Sequence, residues 1–183
     1  MSPAIVQIGN PALRKVSKAV ALKDIGTPEI KKLLKEMSVA LGSRDDGVGL
    51  SAPQIAVNKR VFVVAGKVFS AKGGPASGWD KIPKKDLLPD EFFLNPVIVK
   101  KSKKLATAEE GCLSIPNIYG MVKRPANVTI EYMNELGEKK TRGAGGLLAR
   151  IFQHEIDHLD GTLFIDKATK LKELKNDNTN QEL

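Results

Sequence analysis

The chain has 183 residues, 42% of them hydrophobic and 27% charged, and carries a formal net charge of +8. That is the composition of a globular domain with a sizeable core, and its one cysteine excludes an internal disulfide and fits a reducing compartment. No stretch approaches the roughly 20 apolar residues of a membrane span, Met1 to Lys15 lacks the apolar run and cleavage site of a secretory signal, and 5% aromatics without an interleaved basic cluster argue against a stacking platform for single-stranded nucleic acid.

In chain order, Thr27-Pro28-Glu29-Ile30 opens a helix. Threonine caps, proline suits the first turn and glutamate complements the macrodipole. Ile30, Leu33, Leu34, Met37, Ala40 and Leu41 then recur at helical spacing, and Gly42 offers a stop. Gly47-Val48-Gly49-Leu50-Ser51-Ala52-Pro53-Gln54 superficially matches a dinucleotide fingerprint, but a helix precedes it where a strand should, and Pro53 follows too soon. It reads instead as a loop. Either its glycines let backbone approach a ligand while Gln54 presents an amide, or it is a plain tight turn. Arg60 to Ala65 predicts a buried strand. Residues 66–91, rich in Gly, Pro and Ser, predict a surface insertion loop. Phe92 to Val99 predicts a second strand, with Pro96 marking an edge or a bulge. Val128 to Tyr132 alternates as a third, followed by a turn at 134–137. A second helix runs from about Gly146 to Gly161, apolar around most of its circumference and therefore deeply buried. From about Lys167 the chain is expected to form a short helix and then a polar tail, so that residues 1–170 make one domain and 171–183 the tail. The basic balance reads as a solvated surface, with attraction to nucleic acid or a ribosomal surface as the alternative.

Both histidines of the chain lie in His154-Glu155-Ile156-Asp157-His158. On a helix, positions i and i+4 share a face, so the two imidazoles can grip one metal ion. Glu155, beside the first, is then placed to act as a base. Two histidines need a third ligand, and no third histidine exists. The candidates are Cys112 or a downstream carboxylate, Glu173 or Glu182; donor chemistry favours the cysteine, with an open fourth position for catalysis. A zinc peptidase with a glutamate ligand and a non-catalytic, metal-stabilised binding module remain the rivals.

Three motifs, GVGLSAPQ (47–54), EGCLSIP (110–116) and QHEIDH (153–158), together resemble peptide deformylase, and the resemblance runs from Gly9-Asn10-Pro11-Ala12-Leu13-Arg14 through Arg150 to Gly161-Thr162-Leu163-Phe164. It implies an α+β fold in which antiparallel or mixed β-sheets pack around a buried C-terminal helix carrying HExxH, with an N-terminal helix. It implies a metal-dependent hydrolase that removes the formyl group from the N-terminal formyl-methionine of new polypeptides and releases formate. Cys112, His154 and His158 would hold one divalent ion, natively Fe2+, with Zn2+, Ni2+ or Co2+ in preparations. Glu155 would be the general acid/base, with Gln54 and the Leu113 backbone N–H stabilising the oxyanion. Val48 and Gly49 would bind the peptide backbone, and Leu147 and Ile151 would line the methionine pocket. The implied partners are formylated nascent peptides and the ribosome near its exit site, with no membrane and no sequence-specific nucleic acid. The implied location is the bacterial cytoplasm, or an organelle in a eukaryote. Ser51 stands where the family usually has Ala, Asn117 where Gly is common, and the insertion at 66–91 is longer than in the simplest bacterial forms.

Overall fold

A computed structural model describes residues 3–70 and 82–174. Helix α1 spans Pro28–Gly42, capped by Thr27, whose hydroxyl faces the Ile30 N–H, with Pro28 in the first turn. Strands β1 (Gly49–Ser51) and β2 (Val61–Val64) follow, then a short helix α2 (Lys67–Ser70). Next come β3 (Glu91–Lys101), β4 (Leu105–Cys112), β5 (Ile115–Pro125), β6 (Asn127–Met133) and β7 (Lys139–Gly145). Helix α3 spans Gly146–Leu159 and β8 spans Thr169–Glu173.

The strands form two antiparallel sheets, a large one ordered β1-β2-β3-β6-β7 and a small one ordered β4-β5-β8. The fold is α+β, as the sequence implied, and the sheets are antiparallel. Helix α3 packs against β1, β2, β6 and β7 of the large sheet and against β5 of the small one. Val61 and Val63 of β2 pack in a cluster with Leu33, Met37 and Leu41 of α1. Phe62 and Val64, pointing to the other face, pack in a cluster with Phe93, Ile130 and Phe152. Burial on both faces is why Val61–Val64 is an unbroken apolar run. The Phe62 and Phe93 rings stack at 4.6 Å between centroids, and Phe152 of α3 meets Phe93 edge-on at 5.0 Å. A third cluster, Leu13, Ile115, Val122, Leu163 and Phe164, lies under the small sheet.

Several expectations need correction. Strand β3 lies inside the large sheet, so Pro96 marks no edge; it sits in a bulge between Leu94 and Val97. There Asn95 takes φ 51°, and its side chain accepts the Val20 N–H and donates to the Val20 carbonyl, both at 2.8 Å. Among the described residues from Lys167 on, the chain forms no helix. It makes a 3-10 turn at Phe164–Asp166 and then β8, which pairs with β5 and places the expected boundary at 170 inside a strand. All five β8 side chains are exposed, so no apolar periodicity announced it. Strands β1, β4, β5 and β7 were not anticipated either: β7 is an edge strand poor in apolar residues, and β4 is largely exposed. In the expected loop 66–91, Lys67–Ser70 and Lys84–Asp86 form helical turns, and the Leu88 N–H donates to Ser70 Oγ at 2.7 Å. Residues 71–81 of the insertion, the tail from 175 and Glu182 lie outside the described residues.

Replacing Phe93 by alanine empties the centre of the aromatic cluster. It is expected to cost about 3–5 kcal/mol, read as a lower urea midpoint at unchanged m-value.

Candidate metal centre and active site

Helix α3 carries the site on two adjacent rows. Strand β7 runs straight into it through Gly146, whose φ of +55° makes the corner and would strain any other residue. Arg150, His154 and His158 follow at four-residue spacing, and so do Leu147, Ile151 and Glu155, giving two stripes one beside the other. The first stripe meets the small sheet. Cys112 ends β4, where the pairing with β5 slips between Glu110 and Cys112, and Cys112 pairs with Ile115 across a two-residue turn. That irregularity re-aims the thiol toward α3. One ligand atom each from Cys112, His154 and His158 lie within 4.8 Å of one another, and Cys112 Sγ is 3.2 Å from His158 Nε2.

The ligands are held from behind. The His154 Nδ1–H donates to Glu110 Oε2 at 3.1 Å, which turns Nε2 forward. Glu110 also accepts from Arg124 through both oxygens, at 2.6 and 2.9 Å, and from Arg150 at 2.6 Å. Burial pushes the Glu110 carboxyl up, but the hydrogen bonds from Arg124 and His154 outweigh it and hold it well below the usual carboxylate range. Arg124, itself 4% exposed, reaches back to Asp157 of α3 at 2.8 Å. These supports had no role in the sequence reading. A buried arginine on β5 leaves no local signature, although Glu110 stood inside a quoted motif and Arg150 lies one turn before His154.

The second stripe faces β1. Glu155 is buried, and that burial, aided by the Glu110 charge and opposed by His154 and Arg124, raises its carboxyl to about 7. Its Oε2 has no hydrogen-bond partner among the described residues. A side chain on Gly49 would lie 2.7 Å from Glu155 Oε1, so glycine there is what admits the carboxylate. Gln54 Oε1 accepts the Ser51 N–H at 2.8 Å and the Ser51 hydroxyl at 3.0 Å. This leaves Nε2 aimed at Ser114 Oγ, 3.2 Å away, and at Cys112 Sγ, 3.5 Å away. Ser51 therefore orients the amide that faces the sulfur.

These donors suit a metal ion. A thiol and two imidazoles form a three-ligand set with room for a fourth group, and the bare Glu155 oxygen stands beside it. Burial first, then His154 and Arg124, keep His158 well below its ordinary pKa, hence neutral and able to ligate. For His154, burial favours the neutral ring, but the Cys112 sulfur and Glu110 outweigh it and raise its pKa to about 10, so a bound ion would displace that proton. Among the described residues no other group of His, Cys, Asp or Glu converges in this way; Glu173 lies on β8, apart from the cluster.

A cavity of about 380 Å³ opens on the centre. Val48, Gly49, Leu147 and Ile151 line one wall and Cys112 and Leu113 another, with Gln54, His154 and Glu155 also reaching it. His158, 1% exposed, sits behind Cys112.

A sequence model described as "Polypeptide deformylase" matches residues 3–174. The chain belongs to the polypeptide deformylase family. It is 44% identical over 166 residues to a peptide deformylase of Desulfitobacterium hafniense, covering 91% of this chain and 94% of that one. It is 39% identical over 171 residues to one from Prochlorococcus marinus, covering 93% and 75%. Among solved structures, a Synechococcus elongatus peptide deformylase in complex with actinonin superposes with TM-score 0.75 at 33% identity, covering 93% of this chain and 81% of that one. A Met-Ala-Ser-bound enzyme from Acinetobacter baumannii gives 0.77 at 30%, covering 91% and 99%. The protein is thus a metal-dependent deformylase, which hydrolyses the N-terminal formyl group of formylated peptides. No helix among the described residues of this deformylase is long and apolar enough to cross a membrane.

Gly49→Ala tests the packing around Glu155. A methyl group 2.7 Å from Oε1 and 3.1 Å from Ile151 must displace the carboxylate. The expected result is a kcat lower by about 10- to 100-fold with metal content unchanged; wild-type kcat would show that the carboxylate's position is not critical.

Proposed function

We propose that Cys112, His154 and His158 hold one divalent ion, that Glu155 is the general acid/base of formyl hydrolysis, and that one catalytic domain carries the whole site. The observation that supports this most is the convergence of a thiol and two imidazoles beside a buried glutamate whose outer oxygen has no partner. When bound, the ion supplies Lewis acidity, polarising the formyl carbonyl and lowering the pKa of a water toward about 7. Glu155, with its own pKa raised to about 7, is matched to proton transfer near neutrality. It takes the proton of the attacking water and returns it to the departing amine, releasing formate. Gln54 Nε2, held by Ser51, and the Leu113 backbone N–H donate to the carbonyl oxygen as it gains charge, where losing one donor typically costs about 3–4 kcal/mol. Val48 and Gly49, at the end strand of the large sheet, pair with the substrate backbone. Leu147 and Ile151 receive the methionine side chain, a flexible thioether that fits irregular apolar walls.

The native ion in this reading is Fe2+, with Zn2+, Ni2+ or Co2+ as substitutes, since thiolate and imidazole donors accept all of these. The compartment is the bacterial cytoplasm, or an organelle in a eukaryote. The partner beyond the peptide is the ribosome, near the exit of the nascent chain, and the contact is not sequence-specific. Support comes from Lys100, Lys101, Lys103 and Lys104 at the β3–β4 corner and from Lys123 on the neighbouring β5. All five are exposed and none has an ion-pair partner among the described residues, whereas Lys139, Lys140, Lys167 and Lys172 each pair with a carboxylate.

Two variants separate ligation from proton transfer. Cys112→Ala should lose most of its bound metal. Glu155→Gln should keep the metal and the fold yet lose most of its turnover of a formyl-Met peptide, with acetyl-Met peptides poor substrates of the wild type. Full metal occupancy in the first, or wild-type turnover in the second, would refute the assignment. Ribosome contact predicts co-sedimentation at about 50 mM salt that is lost by about 200 mM. It should weaken when the four lysines at 100–104 become glutamate, with turnover of small formyl peptides unchanged; equal co-sedimentation of the variant overturns the docking surface.

A further inference from the structure

Arg150 takes no part in the reaction described above, yet its guanidinium makes three hydrogen bonds beside the cavity. It stands one helical turn before His154 on the row that meets the small sheet. Its side chain is 12% exposed. Nη1 donates to Glu110 Oε1 at 2.6 Å and to the Val122 carbonyl at 3.0 Å, while Nη2 donates to the Ala106 carbonyl at 3.0 Å. Ala106 and Glu110 belong to β4 and Val122 to β5. One guanidinium from α3 therefore grips both strands of the hairpin that ends in Cys112.

This matters because the proposed ligands are divided between two bodies. His154 and His158 are on α3; Cys112 is on β4, in a sheet that shares no strand pairing with the large one. Arg124 ties the bodies in one direction, from β5 to Asp157 on the helix. Arg150 ties them in the other, from the helix to β4 and β5, and the two arginines meet on Glu110 Oε1. We propose that Arg150 is a positioning residue that sets the placement of Cys112 relative to His154 and His158 by fastening α3 to the β4–β5 hairpin. The role needs a forked, planar donor. Lysine, a point charge with no fork, can keep the Glu110 contact but not both carbonyl contacts.

The inference rests on the proposed ligand set, and the test keeps the two apart. Arg150→Met preserves the stem that lines the cavity and removes the head; Arg150→Lys keeps the charge. For each, the affinity for Zn2+ is measured by chelator competition, and the visible spectrum of the Co2+-loaded protein reports thiolate and imidazole geometry. Arg150→Met is expected to bind Zn2+ about 10- to 100-fold more weakly and to show an altered Co2+ spectrum. Arg150→Lys should fall between it and the wild type, and carries the test alone if the Met variant does not fold. A wild-type Zn2+ affinity and Co2+ spectrum in the variants overturn the proposal, and do so even if kcat/KM falls, because the arginine would then serve only the substrate cavity. A wild-type Co2+ spectrum without a thiolate band would instead count against Cys112 as ligand, leaving the fastening role to be judged on affinity.

Discussion

Two of the proposed metal ligands stand on a helix and the third on a separate sheet, so the site exists only while those two bodies are held in register. The buried Glu110 carboxylate is where they are joined: it accepts from Arg124 on β5, from Arg150 on α3 and from His154 itself. An isolated carboxylate could not be buried there without losing its charge. Two guanidinium partners hold its charge, and Arg124 is in turn paired with Asp157. Removing one partner from such a group typically costs about 3–5 kcal/mol, because it strands the other charges out of water.

The helix that bears this network is buried on two opposed sides for different reasons. Phe152, Ile156 and Leu159 join the aromatic and aliphatic cluster against the large sheet, which supplies the burial that holds α3 in place. The opposite side is polar, and each of its groups answers a partner on the small sheet. Packing on one side fixes the helix axis, and hydrogen bonding on the other fixes its rotation. The result is a pair of imidazoles aimed at one point, without reliance on the loops.

Around that point a few polar groups are left without partners. Glu155 Oε2 and His158 Nδ1 are buried and unsatisfied among the described residues, in a molecule whose other buried polar side chains are nearly all paired. Such groups lower stability where they stand. For Glu155 the same burial that leaves the oxygen bare raises its pKa to about 7, which is the property a proton-transfer group needs at neutral pH.

Local pattern determined a good deal by itself. The cap and apolar spacing of α1, the doubly buried run of β2, the turn after β6 and the extent of α3 could all be read because each depends on residues within one or two helical turns or a few strand positions. The HEIDH spacing likewise placed two ligands on one face, since helix geometry alone brings i and i+4 together. Exposed or edge strands such as β7 and β8 stayed hidden, because strands without a buried face show no alternation. Only the tertiary structure brought Cys112 within reach of the histidines across 46 residues of sequence. It alone placed Arg124 against Glu110 and Gly49 against Glu155. Those contacts lie between elements whose relative positions are set by the packing of the whole core, which no local run of residues encodes.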